Sequence, residues 1–457
     1  MTTRQLLEIA FSSGRSGSGP ATWGQRAVWD AVRQLPPADA PRYNIATEAP
    51  LDPGLPLPVL LAALERLLHL HDSLHTRLLP DEDGCLRQVV DPDGSLGVHL
   101  LSATADEDPA ELGARLHGEL AARAFDTADQ WPIRIGAVTA ADGLVRHVSL
   151  VLSHTAVDGS GMSRLVADLS ALCLGASPER LADLRTTAQQ PLEEAEFQSS
   201  ERGRRRDTGA RRQFVRKLRL GPPRLFPPAI EQAVTEQSGS EPPAPFPNAV
   251  LRSPTLPRAL ERVAATHRVS TGSVLLAATA TMTARLSGSA EAVLNVVVNN
   301  RFLPELANAV SVVAGDGLFH LPDATAGFGD VVRRTHAAAI GTYRHAYYDK
   351  SALAAEVARL TAEGVRLADR SCVFNDTREL LPAAADPGSD RTTLTWPVEF
   401  EPRPGLTYAL DALQSAEALS LAMTADPAVL PRAAMERFLY GIEELILTEA
   451  AAERAPA

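Results

Sequence analysis

The residues best suited to chemistry lie in one stretch, Val148-Ser149-Leu150-Val151-Leu152-Ser153-His154-Thr155-Ala156-Val157-Asp158-Gly159-Ser160-Gly161. His154 has the only side chain there whose ordinary pKa lies near neutrality, which makes it a candidate general base. Asp158, four positions on, only accepts hydrogen bonds when ionised, so if buried it needs a cationic partner. Gly159 permits a backbone conformation or a close approach that a side chain would block. The plainer alternative is a satisfied core histidine followed by a helix cap made by Asp158 or Ser160. Two elements must position these groups. The apolar run before His154 is short and rich in β-branched residues, which predicts a buried strand. Met162, Leu165, Val166, Leu169 and Cys173 recur at helical spacing, so a helix is expected to begin near Ser160.

Ser153-His154-Thr155-Ala156-Val157-Asp158-Gly159 resembles the HHxxxDG motif of condensation domains from nonribosomal peptide synthetases. These belong to a wider group of acyltransferases similar to chloramphenicol acetyltransferase, in which HxxxD(G) recurs. His154 falls on the catalytic second histidine, Asp158 and Gly159 match, and Ser153 stands where the first histidine would be. Further stretches are similar in the same order. In Pro20-Ala21-Thr22-Trp23-Gly24-Gln25-Arg26-Ala27-Val28-Trp29, Gln25 and Trp29 match the opening family motif and Ala27 replaces its arginine. Read as structure alone, this stretch is a helix start with Trp29 buried. Leu70-His71-Asp72-Ser73-Leu74-His75-Thr76-Arg77-Leu78 resembles RHExLRTxF, with Asp72 for glutamate and His75 for arginine. His71 and His75 are four apart, but no third metal ligand is near, and a structural hydrogen-bonding role for His71 is preferred.

In the second half, Asn299-Asn300-Arg301 follows the β-branched run Val293 to Val298. The resemblance implies that Arg301 is the cation paired with Asp158. Val312 to Phe319 and Tyr343 to Asp349 are partial matches to later family motifs. Cys372-Val373-Phe374-Asn375-Asp376 is closer, and the family likeness implies that Asn375 bonds substrate; a strand-end turn residue is the equal alternative.

A chain of 457 residues, 45% hydrophobic and 22% charged, has the composition of a soluble globular protein with ample core. The net charge of -12 argues against general nucleic-acid binding. Cys85, Cys173 and Cys372 have neither metal spacing nor a disulfide framework. No secretory or membrane-spanning apolar run is present, so a cytoplasmic location is expected, with no membrane partner. Strands are expected over Gln5 to Ser12, Leu86 to Val90, Val98 to Leu101 and Ile133 to Val138, and a Gly/Ser loop over Ser13 to Gly19. Helices are expected over Pro58 to Leu78, Pro109 to Ala124, Pro257 to Ala265 and from Ser270 or Thr271 to Leu286. A strand from Ala416 to Ala425 and a helix from Pro431 to Leu447 close the chain. The basic run from Arg202 to Arg219 invites nucleic acid or an acidic carrier protein, but a solvated helix face with Phe214 and Leu218 buried behind it is preferred.

The resemblance implies an α/β (α+β) fold of two chloramphenicol acetyltransferase-like lobes, mixed sheets flanked by helices, with a channel between them. The expected division is an N-terminal lobe over 1–180 carrying the HxxxDG loop, a crossover and mobile loop over 181–247, and a C-terminal lobe over 248–457. The expected activity is that of a free-standing condensation enzyme. It would transfer an acyl group from a phosphopantetheine thioester on an acyl or peptidyl carrier protein to a small-molecule amine or alcohol, forming an amide or ester. His154 would take the nucleophile's proton, Asp158 with Arg301 would hold the loop, and Ser153, Ser160 and Asn375 would contact substrate. Gln25 and His71 would give structural support, and no metal or bound cofactor is required. Coenzyme A as donor is the alternative. A non-catalytic module that holds carrier-bound intermediates and a different reaction on a tethered chain, such as epimerisation or dehydration, remain open readings.

Overall fold

A computed structural model describes residues 3–177, 188–226, 244–378, 380, 390–415 and 417–452. The chain divides into two compact units. The first holds Met1–Arg206, Asn299–Ala314 and Asp349–Ala352, and the second holds Asp207–Val298, Gly315–Tyr348 and Leu353–Ala457. The division therefore falls at Arg206/Asp207, not across a separate 181–247 crossover, and residues 299–314 join the first unit. Residues 178–187 and 227–243 of the expected crossover and loop lie outside the described residues.

In the first unit the chain runs β1 (Thr3–Ser12), β2 (Gly17–Pro20), α1 (Trp23–Arg33), β3 (Asn44–Pro56), α2 (Leu57–Leu70), β4 (Thr76–Pro80), β5 (Leu86–Val90) and β6 (Asp93–Ser102). It continues through α3 (Pro109–Ala121), β7 (Ile133–Thr139), β8 (Leu144–Ser153), α4 (Gly159–Cys173), α5 (Pro191–Ser199) and the start of α6 (Glu201–Leu218). The main sheet has the order β1-β6-β7-β8-β3, antiparallel except where β6 and β7 run parallel. Strand alternation sends Val148, Leu150 and Leu152 of β8 to one face, where they meet Leu60, Leu64 and Leu67 of α2 and Met162, Leu165 and Leu169 of α4. Each such side chain contributes about 1.5–3 kcal/mol on burial. Val151 points the other way, to Leu112, Leu116 and Leu120 of α3. The edge strand β3 carries Pro50 and Pro56 and breaks register between Pro50 and Leu55, an edge position where proline costs no ladder bond.

Four local expectations change. Part of the expected Gly/Ser loop pairs as β2 with β5. The helix begun near Pro58 stops at Leu70, not Leu78, because Thr76–Pro80 is drawn into β4 against β5. Val59, expected on its apolar face, is exposed. In α1 the buried aromatic is Trp23, while Trp29 is only half-buried.

The second unit continues with β9 (Phe246–Ser253), α7 (Leu256–His267), α8 (Thr271–Ser287), β10 (Ala292–Val298), β11 (Gly315–Leu321), α9 (Phe328–Tyr343) and α10 (Lys350–Ala362). It ends with β12 (Cys372–Asp376), β13 (Thr393–Phe400), β14 (Tyr408–Gln414), β15 (Leu419–Ala425) and α11 (Arg432–Ala452). The sheet order is β11-β10-β12-β14-β15-β9-β13, with β10/β12 and β12/β14 parallel. The strand expected from Ala416 begins at Leu419; Ala416 itself lies outside the described residues. Ser270, not Thr271, caps α8 by accepting from the Ser273 amide. Phe214 and Leu218 of α6 are buried in this unit's core beneath the helix's basic face.

Candidate active site

His154 follows directly on β8, the most continuously buried strand of the first unit. The turn after it is closed by two bonds to Ser153: the Ala156 amide donates to its carbonyl at 2.9 Å and the Thr155 amide to its Oγ at 3.3 Å. Ser153 Oγ also pairs with Thr155 Oγ1 at 2.8 Å. The His154 ring bonds the Val157 carbonyl through Nδ1 at 2.8 Å. A carbonyl only accepts, so Nδ1 carries a proton, and in the neutral ring Nε2 keeps its lone pair. That is the tautomer a general base requires.

Asp158 does not touch the imidazole. Its Oδ1 caps α4 by accepting from the Gly161 amide at 2.7 Å and meets Arg301 at 2.9 Å. Its Oδ2 accepts from Arg301 at 3.0 Å and from the Val313 and Ala314 amides at 3.0 and 2.9 Å. The cap and the arginine partner, alternatives in the sequence, are both present. Arg301 in turn donates to the Ala309 and Ser311 carbonyls. Hydrogen bonds on both sides thus offset much of the pair's desolvation, the condition under which a buried ion pair is tolerated, with Arg301 Nε left without a partner among the described residues. Asn300, just before Arg301, holds the left-handed conformation with φ 56° and bonds the Val313 carbonyl, which turns the chain back toward the loop.

Gly159 opens α4 without a positive φ. The glycine whose missing side chain the packing needs is Gly161: a Cβ there would lie 2.7 Å from Val157 Cγ2 and 3.0 Å from the Arg301 guanidinium. Ser160 is half-buried in the first turn of α4. His154, Ser153 and Thr155 line a cavity of about 500 Å³ together with Trp29, Tyr43 and Phe125. The Tyr43 ring is tilted at 37° to the imidazole, 6.3 Å between centroids.

The other expected residues are each hydrogen-bonded within their own surroundings. Gln25 completes a capping box with Thr22: each backbone amide donates to the other's side-chain oxygen, at 2.8 and 3.1 Å. His71 is buried and bonds Asp168 through Nε2 at 3.0 Å. His75 turns elsewhere, to the Asp91 carbonyl at 2.7 Å, so the two histidines do not converge. Burial pushes the His75 pKa down, and burial pushes the neighbouring Asp72 up. Asn375 lies in β12 of the second unit and donates its amide to Asp411 Oδ1 at 2.9 Å, so it is a ladder residue and not a turn. Burial raises the Asp411 carboxyl, and the Asn375 bond opposes the rise. Among the described residues, no cluster of His, Cys, Asp or Glu is arranged to hold a metal ion. No described helix is long and apolar enough to cross a membrane.

Sequence reasoning missed Tyr43 and Phe125, which lie in segments without a motif, and the Val313 and Ala314 amides, which carry no side-chain signature. The nearest signal for the amides is the stretch Val312 to Phe319, which the sequence offers only as a partial match to a later family motif.

The model of the condensation domain matches residues 25–448. The chain belongs to the condensation domain family. A curated relative in that family's company is an isonitrile lipopeptide synthase of Mycobacterium tuberculosis, 28% identical over 311 residues. The match covers 65% of this chain and 12% of the relative, so the chain spans a small part of that protein's length. Among solved structures it is similar to that of the condensation domain-mediated chain release from the enacyloxin polyketide synthase. There the TM-score is 0.71 at 18% identity, over 98% of this chain and 85% of the other. The starter condensation domain of rhizomide synthetase, solved in complex with C8-CoA, gives 0.67 at 18% identity, with 95% of each chain covered. The condensation-domain fold, two mixed-sheet units of chloramphenicol acetyltransferase type, is the α/β architecture expected from the motifs.

Proposed function

We propose that this condensation domain transfers an acyl group from a phosphopantetheine thioester, carried by an acyl or peptidyl carrier protein, to an amine or hydroxyl. The observation that carries the reading is the His154 ring: Nδ1 is committed to Val157, and the residue lines a cavity large enough for a small acceptor. His154 Nε2 removes the nucleophile's proton as the nitrogen or oxygen bonds the thioester carbon. The carbon–sulfur bond then breaks, and the proton passes from the imidazole to the leaving thiolate. Asp158 and Arg301 hold the loop and take no part in proton transfer, since their bonding capacity is directed at backbone and at each other. Ser153 and Ser160 flank the imidazole in sequence and contact the substrate. The first turn of α4 supports the developing oxyanion by its dipole.

A coenzyme A thioester is the second reading for the donor, favoured by the similar rhizomide starter domain having been solved with C8-CoA. A mass-spectrometric screen decides between them. Acyl thioesters of pantetheine, coenzyme A and carrier proteins are crossed with amine and alcohol acceptors, for wild type and His154→Ala. Product from the wild type alone, with carrier-loaded donor preferred, is expected. Equal product from both proteins would remove His154 from the chemistry. A carrier bound without product from either would mark a module that holds intermediates.

A further inference from the structure

The second unit carries a groove of about 890 Å³ that plays no part in the site above, formed by one face of α6 with Leu220, His345 and Glu356. Arg212, Arg216 and Arg219 line it at helical spacing, so three guanidinium groups share that face. Their neighbour Arg211 is neutralised twice, by Asp207 at 2.8 Å and Glu356 at 3.0 Å. Arg202 and Arg205 earlier in the helix likewise have Glu305 and Glu201. Arg212, Arg216 and Arg219 have no carboxylate partner among the described residues, and each is exposed. Beside them Leu220 is 61% exposed, a large apolar side chain at the end of a basic row. In a chain of net charge -12 this is a local reversal of sign.

We infer that this groove docks an acidic protein surface, which, resting on the proposed function, is that of the carrier that presents the thioester. Guanidinium groups around an aliphatic centre match the polar rim and apolar core of a protein interface. A site for single-stranded nucleic acid would instead pair its cations with stacking aromatics, and no Phe, Tyr or Trp lines this groove. Charges at such a rim act chiefly on encounter and on salt dependence.

The test uses the full chain and the complete set of phosphopantetheinylated carrier proteins of the source organism, each purified. Binding is followed by fluorescence anisotropy at rising salt for wild type and for Arg212→Glu/Arg216→Glu/Arg219→Glu. Turnover of a small pantetheine thioester is measured in parallel. We expect at least one acidic carrier to bind, binding to weaken with salt, and the charge-reversed variant to lose about tenfold or more in affinity. The small thioester should be turned over unchanged, since no reversed residue lines the His154 cavity. Leu220→Ser should weaken binding without changing its salt slope. The inference is overturned if no carrier binds the wild type, if the variant binds as tightly, or if duplex RNA binds the wild type and is lost in the variant. Turnover of the small thioester in any of these cases leaves acyl transfer standing, so the two readings fail separately.

Discussion

The first unit holds two constellations of the same three residue types, His71–Asp168–Arg164 and His154–Asp158–Arg301, and they are wired in opposite ways. In the first, the aspartate bonds the histidine directly at 3.0 Å and takes Arg164 on its other side. Both side chains are nearly inaccessible, so the ring nitrogen left unbonded there has no cavity to face. In the second, the aspartate ignores the histidine and binds the arginine and three backbone amides. The imidazole is oriented by a carbonyl and keeps a free nitrogen beside a cavity. A histidine near an aspartate is therefore no mark of catalysis. The mark is whether the unbonded ring nitrogen can be reached from a cavity.

The sharpest way to break this contrast is to delete each imidazole. His154→Ala should lower turnover about a hundred- to ten-thousand-fold with little change in melting temperature. His71→Ala should do the reverse, lowering the melting temperature while turnover per folded molecule holds. Initial rates and thermal unfolding on the same preparations check both.

Next in size is Asp158→Ala, which strands Arg301 as a buried unpaired cation and should cost about 3–5 kcal/mol by denaturant unfolding. Pairing it with Arg301→Met should recover part of that loss, because the double variant leaves no uncompensated charge.

The Asp168 site sharpens the comparison through pH. Burial alone would raise this carboxyl, but the bonds from His71 and Arg164 outweigh it and hold the pKa below the ordinary 3.8. A depressed folded-state pKa gives stability that is present above the unfolded value and lost as pH falls through the folded one. Asp168→Asn should therefore be clearly less stable than wild type near neutrality. The gap should close as pH drops below about 3.8, as measured by urea unfolding across pH.

The smallest expected effect is Gly161→Ala. Its added methyl group would press on Val157, Arg301 and the Ser311 carbonyl. A cost of about 1–3 kcal/mol is expected, against no loss for Gly118→Ala in α3, where the space is open.

The strand–loop–helix unit around His154 was legible because its periodicities are local: β-branched residues before the histidine, and Met162, Leu165 and Leu169 after it. The Arg301 partnership came from the family likeness and the charge argument together. What stayed hidden was decided by distant or backbone groups. The helix end at Leu70 depends on β5 recruiting Thr76–Pro80, and the half-exposure of Trp29 depends on the cavity it lines. The tautomer of His154 is set by a carbonyl, which no sequence displays.

The arginine that secures the Asp158 loop lies 143 residues downstream in the chain. At a synthesis rate of about 5–20 residues per second, the nascent protein waits roughly 7–30 s between making the carboxylate and making its partner. For that interval the strand β8 and helix α4 exist without the segment that locks the turn joining them. The loop's completion is thus a late event in the life of the chain, timed by the ribosome and not by the local sequence around the histidine.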